Sequence, residues 1–129
     1  MSSKKVVLAV VLVLNASNNR FLVHSSGSQY QLPTGVVCLK RSPRKTGVEV
    51  ISNLFGIQLD VTKVKALPRT EIGLCTYRFF GTKVPNFDDV YPSGRPGDVL
   101  ATFSEQEALQ HPGFHRVHRD FLLDLRANA

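Results

Sequence analysis

Nine consecutive apolar residues, 6–14 (VVLAVVLVL), constrain this chain more than any other stretch. The run shows no apolar/polar alternation, so it reads as a strand buried on both faces, at the centre of a layered sheet. Its valines favour a strand over a helix, and it is far shorter than the ~20 residues that cross a bilayer. Lys4 and Lys5 before it and Asn15-Ala16-Ser17 after it imitate a short leader and a glycosylation sequon. The strand reading takes precedence, because cleavage there would remove the strand on which the fold depends. Residues 15–19 supply a turn, with Asn18-Asn19 suited to positive φ, and residues 21–24 return as a second strand.

A punctuated helix follows. Ser42 suits an N-cap and Pro43 the first helical position. Val48, Ile51 and Phe55 recur at helical spacing with Leu54 beside them, and Gly56 suits a C-cap. Gly47 inside this helix costs about 1 kcal/mol relative to alanine. Residues 61–67 and 73–80 read as further strands. Residues 86–97, with Pro92 and Pro96, read as a long surface loop, and Gly94-Arg95-Pro96-Gly97 as a turn within it. Ser104 with Glu107 forms a capping box opening a short helix that Pro112-Gly113 closes. Phe114, Val117, Phe121, Leu122 and Leu125 form the apolar stripe of a last helix. His115, Arg116, His118 and Arg119 are expected on and beside its polar face. The pattern is α/β, a mixed sheet flanked by helices. At 129 residues it predicts a single domain, 1–129, with one core.

Gly35, Gly56 and Ile57 are spaced as in the Nudix box, G-x5-E-x7-R-E-U-x-E-E-x-G-U, where U is bulky and apolar. The first Glu position holds Arg41. The R-E pair is Glu49-Val50, the following U is Ile51, and the E-E pair is Asn53-Leu54. Tyr30-Gln31-Leu32-Pro33-Thr34-Gly35 resembles the family's approach to the box, with Thr34 departing from its Leu-Pro-Gly-Gly. Residues 103–109 resemble its late strand-to-helix passage. The chain therefore resembles a MutT-like Nudix protein, which implies a Nudix-like α/β/α sandwich with a mixed sheet.

The resemblance also implies a chemistry that the residues do not supply. Nudix enzymes cleave a diphosphate linked to another moiety with Mg²⁺ held by glutamates of the box helix. A hard divalent ion needs clustered oxygen ligands. Here Val50, Asn53 and Leu54 stand at those positions. Valine and leucine ligate nothing, and asparagine offers one neutral oxygen. A hydrolase would have to recruit displaced acids, for which Glu49, Glu71, Asp88 and Asp89 are the candidates, and only then would Mg²⁺ be required. His111, His115 and His118 do not make a metal set by spacing, and no nucleophile triad, P-loop or Rossmann pattern is present.

What replaces the acids is positive charge. Lys40, Arg41, Arg44 and Lys45 place four cations within six residues around the start of the box helix. Cations there oppose the helix dipole, which is easier to understand if an anion binds. Arginine, lysine and helix N–H groups together can hold phosphate without metal. The net charge of +6 and the pI of about 9.7 agree with an anionic partner. Tyr30 and Tyr77 are the candidates for stacking a base, while Phe79 and Phe80 are expected in the core. Two cysteines far apart, Cys38 and Cys75, indicate a reduced, intracellular protein, and no membrane partner is expected. Three readings of function follow: a non-catalytic module binding nucleotide or RNA phosphate, a pyrophosphohydrolase using displaced acids, or a structural subunit whose basic surface packs on RNA or protein. A protein partner or homodimer is also among the expected partners.

Overall fold

The computed structural model describes residues 5–26, 29–85 and 100–127. Its strands are β1 (Val6–Asn15), β2 (Phe21–Ser26), β3 (Gln29–Gln31), β4 (Thr34–Val36), β5 (Lys65–Ala66), β6 (Thr70–Ile72), β7 (Cys75–Val84) and β8 (Leu100–Phe103). Its helices are α1 (Pro43–Phe55), α2 (Glu105–Gln110) and α3 (Arg116–Ala127). The strands form one sheet in the order β3-β2-β1-β7-β5, with β4 paired to β1, β6 to β7 and β8 to β2. The Val6 N–H donates to the Leu74 carbonyl and the Ala16 N–H to the Val84 carbonyl, so β1 and β7 advance in the same direction. The β1–β4, β2–β8 and β6–β7 pairs are antiparallel. The sheet is thus mixed, as expected for the Nudix-like α/β class.

The chain divides into two compact units, each drawing part of β1 and β7. In the first (residues 1–12 and 33–82), Ala9, Val10, Val11 and Leu12 of β1 are buried with Ile51 and Phe55 of α1 and with Phe79 and Phe80 of β7. The middle of the apolar run is therefore buried on both faces, while Val6 at its start is exposed, and Phe79 and Phe80 are core residues. Ser42 caps α1 by accepting from the Lys45 N–H at 3.3 Å, Pro43 stands at its start, and Gly56 ends it with φ of 69°. Gly47 has a packing reason that sequence does not carry: a Cβ there would lie 2.7 Å from Val11 Cγ2. The helix and β1 approach too closely for a side chain.

Two strand expectations need correction. Residues 61–63 form a single 3-10 turn, leaving only Lys65–Ala66 as β5. Asp60 diverts the chain: its carboxylate accepts from both the N–H and the hydroxyl of Thr62, an Asx-type alternative to strand pairing. The strand expected over 73–80 starts later, at Cys75, because Gly73 (φ 60°) and Leu74 form the two-residue turn between β6 and β7. The loop read over 86–97 and its turn lie outside the described residues.

In the second unit (residues 13–32 and 83–129), β2 pairs with β8 from Phe21–Phe103 to His24–Leu100. Asn15 is fully buried, and its side-chain oxygen accepts from the Ser17 N–H and hydroxyl, while Asn19 takes φ of 59°. The capping box is present: Ser104 accepts from the Glu107 N–H and Glu107 from the Ser104 N–H. Phe121 and Leu122 are buried on α3, as the stripe requires. His118 is the correction. It is 1% exposed rather than on the polar face, because it precedes the buried Leu122 by four residues on α3. Its Nδ1 accepts from the Leu32 N–H at 3.1 Å. Phe114, expected on the same helix, instead precedes it and forms a β-bridge with Tyr30.

Candidate functional site

The box segment lies wholly in the first unit. β4 pairs with β1 through Ala9–Gly35, and the chain then turns through residues 37–42 into α1. The Arg41 N–H donates to the Cys38 carbonyl at 3.0 Å, closing a turn in which Lys40 has φ of 68°. A non-glycine residue held in that region costs of order 1–3 kcal/mol. It is therefore a constraint on how the chain arrives at the helix.

Val50, Asn53 and Leu54, the positions where the resemblance implies metal-binding glutamates, are three and four residues apart and share one face of α1. Val50 is half-buried, and its Cγ2 occupies the space beside Gly35, where a Cβ would overlap it. Asn53 and Leu54 are exposed. An apolar methyl packed on a glycine has no lone pair to give, so the residues at the box positions do not fit Mg²⁺. Glu49 is directed elsewhere: its Oε1 lies 3.4 Å from Arg41 Nη1 in an exposed ion pair. Such a pair is worth roughly 0–1 kcal/mol. Glu71 is exposed on β6 opposite Thr76. Asp88 and Asp89 lie outside the described residues. Among the described residues, no three His, Cys, Asp or Glu side chains gather into a group that could hold a metal ion.

The four cations are placed as follows. Lys40, Arg41, Arg44 and Lys45 are all exposed. Arg41 is engaged by Glu49, whereas Lys40, Arg44 and Lys45 have no ion pair among the described residues. No acid occupies the first turn of α1, so on the helix only Glu49, paired with Arg41, offsets the charge its N-terminus gathers. Arg44 stands with its Cζ 5.9 Å from the centroid of the Phe80 ring. A second guanidinium, Arg78 on β7, stands at the same distance from the same ring. The alternation of β7 puts Arg78 and Phe80 on one face, which sequence reveals. That Arg44 of α1 meets them there depends on packing.

The two tyrosines occupy different settings. Tyr77 stacks on Phe79 at 6.2 Å, on the face of β7 opposite Arg78, and burial first, then the nearby Cys75, pushes its hydroxyl pKa up. Tyr30, in the second unit, packs against Phe103 at 5.0 Å and edge-on to His111 at 5.3 Å. Tyr30 and Tyr77 are both half-buried. Cys38 and Cys75 are free thiols.

No protein-family profile matches the chain, and no curated protein does. Solved structures do. The chain is similar to the MutT protein from Methanosarcina mazei, with a TM-score of 0.74 at 15% identity over 99% of this chain and 97% of that one. It is similar to a mutT/nudix family protein from Listeria innocua, with a TM-score of 0.73 at 13% identity over 98% and 95%. It is similar to the ORF135 protein of E. coli, with a TM-score of 0.66 at 18% identity over 96% and 90%. At these identities the shared property is the fold: the chain has the Nudix fold across nearly its whole length. No helix among the described residues is long and apolar enough to cross a membrane.

Proposed function

We propose that this Nudix-fold chain has lost metal-dependent hydrolysis and works as a binding module for a phosphate-bearing ligand, a nucleotide or RNA. The observation that carries the reading is Val50 packed on Gly35, at a position where a metal-binding carboxylate would be needed. Fold alone does not give function. What decides function here is which atoms face the box. Carboxylates are replaced there by the uncharged Val50, Asn53 and Leu54, while Lys40, Arg41, Arg44 and Lys45 surround the start of α1. Phosphate can be held directly by guanidinium and ammonium groups together with backbone N–H donors, with no cation between. Tyr30 and Tyr77 are the residues assigned to base stacking in this reading. Tyr77, on the other face of β7 from Arg78, would serve a base only where the ligand extends beyond the phosphate site.

The test is thermal stability against nucleoside di- and triphosphates and short RNA, each with Mg²⁺ and with EDTA. A ligand that binds only the folded state raises the melting temperature by mass action. The expected result is a shift that survives EDTA and disappears in Arg41→Glu/Arg44→Glu. A shift that needs Mg²⁺ would instead support hydrolysis through Glu49, Glu71, Asp88 or Asp89. No shift with any of these ligands would leave a structural subunit as the better reading.

A further inference from the structure

Arg44 of α1 and Arg78 of β7 both approach the Phe80 ring. Each guanidinium carbon lies 5.9 Å from the Phe80 centroid. Phe80 is 2% exposed, so its ring is a fixed platform rather than a mobile surface side chain. Arg44 is exposed and Arg78 half-buried. Neither is joined to a carboxylate among the described residues, although Glu71 sits on the Arg78 face of β6–β7, across from Thr76. The ring's negative face attracts each cation, but two like charges held beside one ring repel each other. An anion between them converts that repulsion into two attractions. Arginine suits the task, because its planar fork donates two parallel N–H bonds to a phosphate.

We propose that Arg44 and Arg78 form a two-guanidinium clamp for a phosphate group, with Phe80 as its floor. The clamp draws one half from the box helix and the other from the sheet, and it uses no metal. It rests on the reading of α1 as a phosphate site and deepens it by adding a residue that lies outside the box. It also extends the phosphate site from the capped end of α1, where Arg44 stands two residues after Ser42, to Arg78 on β7.

The experiment uses the full chain in EDTA, with inorganic phosphate and inorganic diphosphate as the probes. Arginine Nε–H resonances are followed by NMR on the wild-type protein labelled with ¹⁵N-arginine. Binding is then measured for Arg78→Gln, Arg44→Gln, the double variant and Arg78→Lys. The expected result is that the Arg44 and Arg78 resonances move together along one binding curve. Arg78→Gln weakens binding about ten-fold, as the loss of one charge-assisted hydrogen bond predicts. The double variant is little worse than the worse single variant, since both act on one ligand. Arg78→Lys keeps the charge but not the fork, and binds more weakly than wild type. If Arg44 moves while Arg78 stays still, or if Arg78→Gln binds as wild type does, the clamp is overturned and the phosphate site on α1 stands. If no arginine responds to either probe, both are overturned. Should Arg78→Gln fail to fold, the wild-type resonances decide the matter alone.

Discussion

The Cγ2 of Val50 lies where a Cβ on Gly35 would have to be. This contact ties the chemistry of the box to its packing. Alanine at position 35 must displace Val50 or move β4 from α1. Overpacking of this kind costs about 1–3 kcal/mol. Gly35→Ala should therefore lower stability by that amount in urea unfolding, and Gly35→Ala/Val50→Ala should recover much of it. Val50→Glu should not create Mg²⁺-dependent hydrolysis, because Asn53 and Leu54 leave the ion without further carboxylates on that face. Diphosphate release from a nucleoside triphosphate would detect any such activity, and its appearance would refute the account of the box given above.

Gly47 gives a sign reversal. In an exposed helix interior, glycine to alanine gains about 1 kcal/mol. Here the new Cβ would lie 2.7 Å from Val11 Cγ2, in the core of the first unit. Gly47→Ala should lower the unfolding midpoint instead of raising it. A rise would mean that β1 and α1 separate more easily than their packing indicates.

These two glycines also mark where sequence stops being legible. The central strand, the capped box helix, the capping box of α2 and the apolar stripe of α3 all rest on local rules that the residues state openly. The short β5 does not, because Asp60 redirects residues 61–63 through its own side-chain hydrogen bonds. His118 is not legible either, because a histidine beside apolar positions reads as polar, and only the fold brings its nitrogen to the Leu32 N–H. At the candidate site, the missing acids and the four cations were readable from spacing. The approach of Arg44 and Arg78 to one ring was not, because it depends on residues 34 positions apart that only tertiary packing brings to Phe80.

Arg20 and Glu107 allow a charge effect to be separated from a cap. Arg20 Nη1 lies 2.6 Å from Glu107 Oε1, and the same guanidinium donates to the Thr102 hydroxyl and carbonyl. Burial works to raise the Glu107 pKa, but hydrogen bonds from Arg20 and the Ser104 N–H outweigh it and hold it below the usual range. A lowered carboxylate pKa adds stability that is present above its ordinary value of 4.5 and is lost as pH falls through the folded value. The Glu107 side chain is 47% exposed, so screening limits the pair. Glu107→Gln keeps the capping geometry and should cost less than about 1 kcal/mol. Ser104→Ala removes the cap itself and should cost about 1 kcal/mol with little change in pH dependence.

His118 should make the fold sensitive to mild acid. Burial, then the neighbouring His115 and His24, drives its pKa well below 6.5, and burial lowers those of His24 and His115 as well. The His115 and His118 rings stack at 4.1 Å, so charging one opposes charging the other. A histidine with a lowered folded pKa binds its proton more readily in the unfolded chain. Its contribution is therefore complete above about 6.5 and drains away as pH falls toward the folded value. The urea midpoint should begin to drop as pH falls through about 6.5 and keep dropping below it, since the folded pKa lies well below that value. His118→Leu deprives the Leu32 N–H of its acceptor and should cost about 1–3 kcal/mol near neutral pH. It also removes the buried proton site, so its stability should fall less steeply in acid and approach that of wild type. If wild type and His118→Leu lose stability in parallel, the acid sensitivity does not originate at His118.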